Sequence, residues 1–185
     1  MSELLDIRDE KGQLTGEAMV RPEVHRTERW HGIALVWVYN SQGQILLQRR
    51  AAHLNAFPDK WDVTVSGHLA AGETPTQAAM REVVEEIGLH VNAEELEEAG
   101  TIANEYPLVY GKQHREFDYM FTAQADVTID SLRLQVAEVL EMHWISVDDF
   151  ERDLADPVNG QHYSTRDPKI YRVIIDKIRQ LKSAA

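Results

Sequence analysis

Glu82, Glu85 and Glu86 stand three and four residues apart in the run PTQAAMREVVEEIG, so in a helix their carboxylates share one face. Like charges at this spacing repel by about 0.2–0.5 kcal/mol per exposed pair, and by more when partly desolvated. Arg81, one turn before Glu85, can pair with a single carboxylate and hold its rotamer, but one guanidinium cannot neutralise three acids. A hard divalent cation that takes oxygen ligands, Mg²⁺ or Mn²⁺, can. The bland alternative is a solvated acidic helix face, the common fate of an isolated E-x-x-E-E.

The surrounding sequence says how such a face would be held. Thr74-Pro75-Thr76-Gln77 opens a helix with a capping box and a proline at its first position, and Gly88 closes it. Ala79, Met80, Val83, Val84 and Ile87 recur at helical spacing on the side next to the glutamates. Gly67 and Gly72 bracket a short connection after an alternating strand through Trp61, Val63 and Val65, so the loop can turn tightly and bring its backbone close to a ligand.

Further out, residues 3–20 read as a strand pair about the turn Asp9-Glu10-Lys11-Gly12, with Leu4 and Ile7 on one side and Met19 and Val20 opposite. Gly32 to Tyr39 is almost continuously apolar, the pattern of a central buried strand. Ser41-Gln42-Gly43-Gln44 turns into Ile45-Leu46-Leu47 as a hairpin. Strands are expected near 98–104, 116–125 and 141–146, the last leading into a helix that begins around Ser146 and Asp148. A terminal helix over 165–182 is set by Pro168 and by Ile170, Val173, Ile174 and Ile178. This strand and helix mixture predicts one α/β sandwich domain over residues 1–185.

Composition narrows the function class. No apolar run is long enough to span a bilayer, and the polar, acidic N-terminus has no basic-then-apolar leader pattern, so a cytoplasmic protein away from membranes is expected. With no cysteine the chain has no disulfide, no cysteine metal ligand and no cysteine nucleophile. A net charge of −12 argues against a nucleic-acid polymer as partner, since that would need a basic surface. Glu73, Glu82, Glu85 and Glu86 against Arg81 supply only −3 of it, so the acidity is global. A small phosphorylated substrate remains compatible, bound by metals and a few local cations.

Gly67, Glu73, Arg81, Glu82, Val83, Glu85, Glu86, Gly88 and Leu89 fill every specified place of the box of the Nudix hydrolase family. A chance match at one start is about one in 10⁸ at ordinary residue frequencies. The chain therefore resembles that family. The resemblance implies an α/β/α sandwich with a mixed sheet, a loop-helix-loop catalytic element over 67–89, an N-terminal β-hairpin extension over 1–28 and the C-terminal helix. It implies a pyrophosphohydrolase using Mg²⁺, with Mn²⁺ as substitute, held by Glu82, Glu85, Glu86 and the Gly67 carbonyl. Glu73 and Arg81 would brace the element, and one carboxylate, with Glu85 favoured, would serve as general base. The implied partner is a small diphosphate, a nucleoside diphosphate linked to another moiety, and a homodimer is compatible with the extra hairpin.

A second likeness covers residues 3–125. The opening ELLDIRDEKG, then Gly16, Arg21, Val24-His25-Arg26, His31, Leu46-Leu47-Gln48-Arg49-Arg50, Trp61-Asp62 and Gly67-His68 resemble the Nudix subgroup related to type I isopentenyl diphosphate isomerase. That enzyme protonates carbon through a cysteine just before the Gly-His pair, where this chain has Ser66, a far poorer acid. It also departs from the hydrolase box, which is complete here. The likeness implies a second metal site of His25, His31 and His68 with Glu116 and Asp118, in which His68 either ligates or only lines the catalytic cavity. Arg49 and Arg50 either hold phosphate or end a solvated strand; Tyr106, Tyr110 and Lys112 either contact substrate or pack. Glu138 and Glu141 are candidates for a further acid, and Trp37 and Trp144 for the core. A diphosphate-binding module without turnover is the third alternative.

Overall fold

A computed structural model describes residues 3–107 and 111–184. Strand β3 (His31–Tyr39) is buried along its whole length and organises the rest. Because strand side chains alternate, Ile33, Leu35, Trp37 and Tyr39 enter one apolar cluster, and Ala34, Val36 and Val38 enter another on the opposite face. The second is covered by helix α2 (Pro75–Ile87) through Ala78, Ala79, Val83 and Ile87. The first is covered by α3 (Val147–Ala155) and α4 (Pro168–Ala184), with Phe150, Ile170, Tyr171 and Ile174 packed about the fully buried Trp37. Trp144 is partly buried against the α2 side. The result is the expected α/β/α sandwich, and no helix among the described residues is long and apolar enough to cross a membrane.

The sheet is mixed. β3 runs parallel to β8 (Gln113–Gln124) from His31↔Glu116 to Tyr39↔Gln124, and antiparallel to β6 (Val65–His68). β7 (Leu96–Pro107) forms an edge against β8. On the other side β4 (Gln44–Arg50) pairs with β5 (Trp61–Asp62) and β9 (Val139–Ser146). Between β3 and β4 the register holds only Tyr39↔Ile45, so the two halves splay apart. Thr64 bridges the split, its hydroxyl accepting from Val38 N at 2.9 Å and donating to Leu46 O. The expected single strand through Trp61 and Val65 is therefore two short strands interrupted at this tether.

The N-terminal hairpin consists of β1 (Leu4–Arg8) and β2 (Leu14–Val20). Leu5 and Ile7 point inward with Val24, whereas Leu4 is exposed beside its cross-strand partner Val20. Leu4 and Ile7 thus do not share a side, because residues three apart on a strand face opposite ways. A short helix not anticipated from the sequence, α1 (Arg21–Arg26), follows with a proline in its first turn and carries His25 over the sheet.

Candidate active site

The box element is built as its local chemistry dictates. Thr74 Oγ1 accepts from Gln77 N at 3.3 Å while Gln77 Oε1 accepts from Thr74 N at 2.9 Å, completing the capping box. At the other end Gly88 takes φ 69° and donates to Val84 O at 3.0 Å, the left-handed helix stop that glycine adopts without cost. Between these ends Glu82 and Glu86 are buried and Glu85 is half exposed.

Arg81 binds more acids than one. Its Nε and Nη2 take both oxygens of Glu73 at 2.9 and 2.8 Å, Nη1 reaches Glu82 at 2.6 Å and Glu85 at 3.1 Å, and Nη2 also donates to the His68 carbonyl at 2.9 Å. The guanidinium touches three carboxylates but balances the charge of one. Among the described residues no cation hydrogen-bonds Glu86: it accepts from Gln48 Nε2 at 3.0 Å and from Ser66 N at 3.3 Å. Burial, then the neighbouring Glu82 and Glu138, push its carboxyl well above the usual range. Burial likewise pushes Glu82 up to about 7, against the pull of Arg81 and with Glu85 and Glu138 adding to the rise. Glu73 ends below its ordinary value, since the Arg81 and Ala70 N–H hydrogen bonds outweigh burial. A crowded, buried acid pair short of positive charge is the donor set a divalent cation fits.

Strand β6 separates this element from a second constellation. Gly67 lies opposite Ala34 on the α2 side, while Ser66 and His68 lie opposite Leu35 and Ile33 on the other. There His25, His31, His68 and His114 bring one ring nitrogen each to within 4.8 Å of one another. Glu116 lies beneath them, 3.6 Å from His31 Nε2, 3.9 Å from His68 Nε2 and 2.9 Å from His114 Nδ1. His31 Nε2 and His114 Nε2 are buried with no hydrogen-bond partner among the described residues. Burial first, and the neighbouring cationic groups second, hold His25 down at about 3 and His68 well below the usual histidine range, so both rings are neutral and can ligate. Burial raises the Glu116 carboxyl, but His114 and His31 more than reverse this and leave it well below its ordinary value. Buried ring nitrogens without partners, gathered around a carboxylate, are the donor set that suits a borderline transition metal.

Of the residues read as a second metal site, His25, His31, His68 and Glu116 meet here. Asp118 sits one pleat further along, accepting from Asn104 at 3.0 Å, and burial with the Glu116 charge pushes it up to about 7. One participant, His114, was not identified from the sequence. His114 precedes Glu116 by two residues and so shares its strand face, a signal the spacing carried. Tyr106, read from the sequence as a substrate contact or a packing residue, belongs to strand β7; its hydroxyl donates to Glu116 Oε2 at 2.8 Å and lies 2.7 Å from His114 Nδ1.

The cluster forms one wall of a cavity of about 630 Å³, reached also by Ser66, Lys112 and Glu138. Arg50 lines it, with Nη1 on Ser66 Oγ at 3.2 Å and Nε on Ala56 O at 3.0 Å. Arg49 does not, being held in a surface pair with Asp59 and Glu141 at 2.9 and 2.8 Å. Glu141 is spent there, whereas Glu138 is the loop acid that acts on Glu82 and Glu86. Tyr110 lies outside the described residues.

Residues 29–165 match the family model of the NUDIX domain. The chain is 29% identical over 172 residues to Nudix hydrolase 3 of Arabidopsis thaliana, which covers 86% of this chain but only 22% of that protein's length. It is 33% identical over 146 residues to the isopentenyl-diphosphate Delta-isomerase of Corynebacterium diphtheriae, covering 77% of this chain and 78% of the relative. The crystal structure of DR0079 from Deinococcus radiodurans superposes with a TM-score of 0.70 at 20% identity, covering 92% and 97% of the two chains, a likeness of fold.

Proposed function

The chain belongs to the Nudix hydrolase family, enzymes that cleave phosphoanhydride bonds in small substrates, and on that premise we propose that it hydrolyses the diphosphate of a nucleoside diphosphate linked to another moiety. In this reading Mg²⁺, or Mn²⁺ in its place, is held by Glu82, Glu85, Glu86 and the Gly67 carbonyl. The observation that carries it is the burial of Glu82 and Glu86 side by side, with no cation among the described residues hydrogen-bonded to Glu86 and only the more distant Arg50 charge acting on it. Nothing in folding alone rewards such a pair, and both acids are raised by it.

When bound, the divalent ion screens the diphosphate charge and acidifies water. The protein's own groups do the rest. Arg81, anchored on Glu73 and the His68 carbonyl, fixes the rotamers of Glu82 and Glu85. Glu85, the half-exposed member, takes the proton of the attacking water, and Glu138 faces the same acids from the loop. Arg50, between Ser66 and Asp62, holds a phosphate oxygen, and Lys112 meets the charge at the cavity wall. The histidine cluster with Glu116 is a second, imidazole-rich metal centre. A homodimer through the outer hairpin face, where Leu4 and Val20 are exposed, completes the reading.

Isomerisation of an isoprenoid diphosphate is the second reading, favoured by that histidine cluster and opposed by Ser66, whose hydroxyl is too weak an acid to replace a thiol. The experiment is metal-dependent phosphate release from a panel of diphosphates. Hydrolysis that falls about 10²-fold or more in Glu85→Gln, with the fold intact, supports the proposal. Isomerisation of isopentenyl diphosphate indifferent to that change would favour the isomerase, and binding without turnover would favour a silent module.

A further inference from the structure

Arg166 lines the same cavity and is almost completely buried. Its Nε and Nη2 grip Asp62 at 2.8 and 2.9 Å, so the remaining corner of the guanidinium, Nη1, points away from that carboxylate. Nη1 has no hydrogen-bond partner. A buried donor left unpaired is costly, and a native site that tolerates one is commonly waiting for a ligand.

The charge balance points the same way. Asp62 is shared between Arg166 and Arg50, the latter at 3.7 Å, so one carboxylate serves two guanidinium groups, with Asp118 acting on Arg166 only through its charge. Ser164 also donates to Asp62 at 2.7 Å, which holds the carboxylate to the pair. Arg21, Arg26 and Lys112 add positive charge to the lining and outnumber its two carboxylates, Glu116 and Glu138, in a chain whose net charge is −12. Phe57 lies over the Arg166 guanidinium with its ring centre 5.3 Å away, and packs on Tyr106. An apolar isoprenoid tail seated there would leave Nη1 dry.

We propose that Arg166 is a specificity-determining residue: it receives an anionic group carried by the substrate beyond the diphosphate, a carboxylate or a phosphate monoester, and excludes purely hydrocarbon tails. This rests on the hydrolase reading above and names the substrate class for it. The cavity then recognises two separate anions, the diphosphate near Arg50 and the distal group at Arg166.

The test uses substrate pairs that differ by one distal anion, with the full chain and Mg²⁺ or Mn²⁺. UDP-glucuronate against UDP-glucose reports a carboxylate; coenzyme A against 3′-dephospho-coenzyme A reports a phosphate. The anion-bearing member of at least one pair is expected to have a kcat/KM about tenfold or more above its neutral partner. That ratio should collapse toward unity in Arg166→Lys, which keeps a charge opposite Asp62 but loses the second N–H edge. The double variant Asp62→Asn, Arg166→Gln removes both charges together and should lose the ratio as well, and the pair that responds identifies the anion. A ratio unchanged in both variants, or a wild type that prefers the neutral members or isopentenyl diphosphate, overturns the proposal. If the wild type cleaves none of the four, the hydrolase reading is decided separately by the wider diphosphate panel, and calorimetric binding of the same pairs decides the role of Arg166. Tighter binding of the anion-bearing member, lost in Arg166→Lys, upholds it; equal or absent binding overturns it.

Discussion

A Cβ placed on Gly67 would fall 1.8 Å from the Glu82 carboxyl carbon. The glycine therefore serves by absence: its missing side chain is the space that the acid occupies against strand β6. Gly67→Ala should push Glu82 out of line with Glu86 and reduce kcat/KM by about 100-fold, as ångström-scale misplacement of a reacting group does. Activity assays alongside a Mn²⁺ titration check it. A variant that binds Mn²⁺ and turns over like the wild type would refute the packing argument.

Protonation should compete with the metal at the box. The folded-state value of Glu82 is raised to about 7 and that of Glu86 well above the usual range, so these groups favour the metal-free fold when neutral. Their contribution is complete below the unfolded carboxylate range and is lost as pH rises through about 7. Metal-free melting temperature should therefore fall from about pH 5 to pH 8, while the added stability from Mn²⁺ grows over the same window, because the ion binds the ionised acids. Glu82→Gln should flatten both trends. Scanning calorimetry with and without Mn²⁺ reads this directly, and a flat metal-free profile would contradict it.

The Asp62–Arg166 pair should be a structural anchor as well as a site component. Arg166 lies on the segment leading into α4, and Ser164 and Tyr171 join the same network at 2.6 Å. Asp62→Ala leaves Arg166 buried without a counter-charge, which should cost about 3–5 kcal/mol in denaturant unfolding. A loss below about 1 kcal/mol would place the pair among the weakly contributing surface bridges.

The histidine cluster should bind a transition ion independently of the box. Co²⁺ added to Glu86→Gln protein should still give d–d absorption typical of nitrogen ligation, and His31→Ala should abolish it while the box retains Mn²⁺. Elemental analysis of purified protein should find a borderline metal near stoichiometric amounts, lost in His31→Ala. Absorption unchanged in that variant would show the cobalt to be bound elsewhere.

What could be read from the chain follows distance along it. The box and its helix were legible because capping, apolar period and carboxylate spacing all lie within residues 67–89, and each is a local rule. β3 was legible because burial on both faces leaves no polar residue in its middle. Reading Arg49 and Arg50 as one cationic pair overlooked the pleat, which sends neighbours to opposite sides and leaves Arg49 on Glu141. His114 was hidden only by neglect of the same rule. Arg166 had no local signal: its meaning comes from Asp62, far back in the sequence, and from a cavity that exists only after the sheet has formed.

That sheet has a consequence for how the protein comes off the ribosome. His31 and Glu116 are neighbours in the parallel β3–β8 pair, with the entire box between them in the chain. The α2 helix can coil as soon as it emerges, but β3 has no parallel neighbour until residues 113–124 are made, and pairings that close so long a loop form late. Arg166 arrives later still. Nascent chains stopped before it would display the acidic helix yet lack a finished pocket, so competence for ligand should switch on abruptly once Arg166 has been made and α4 has docked.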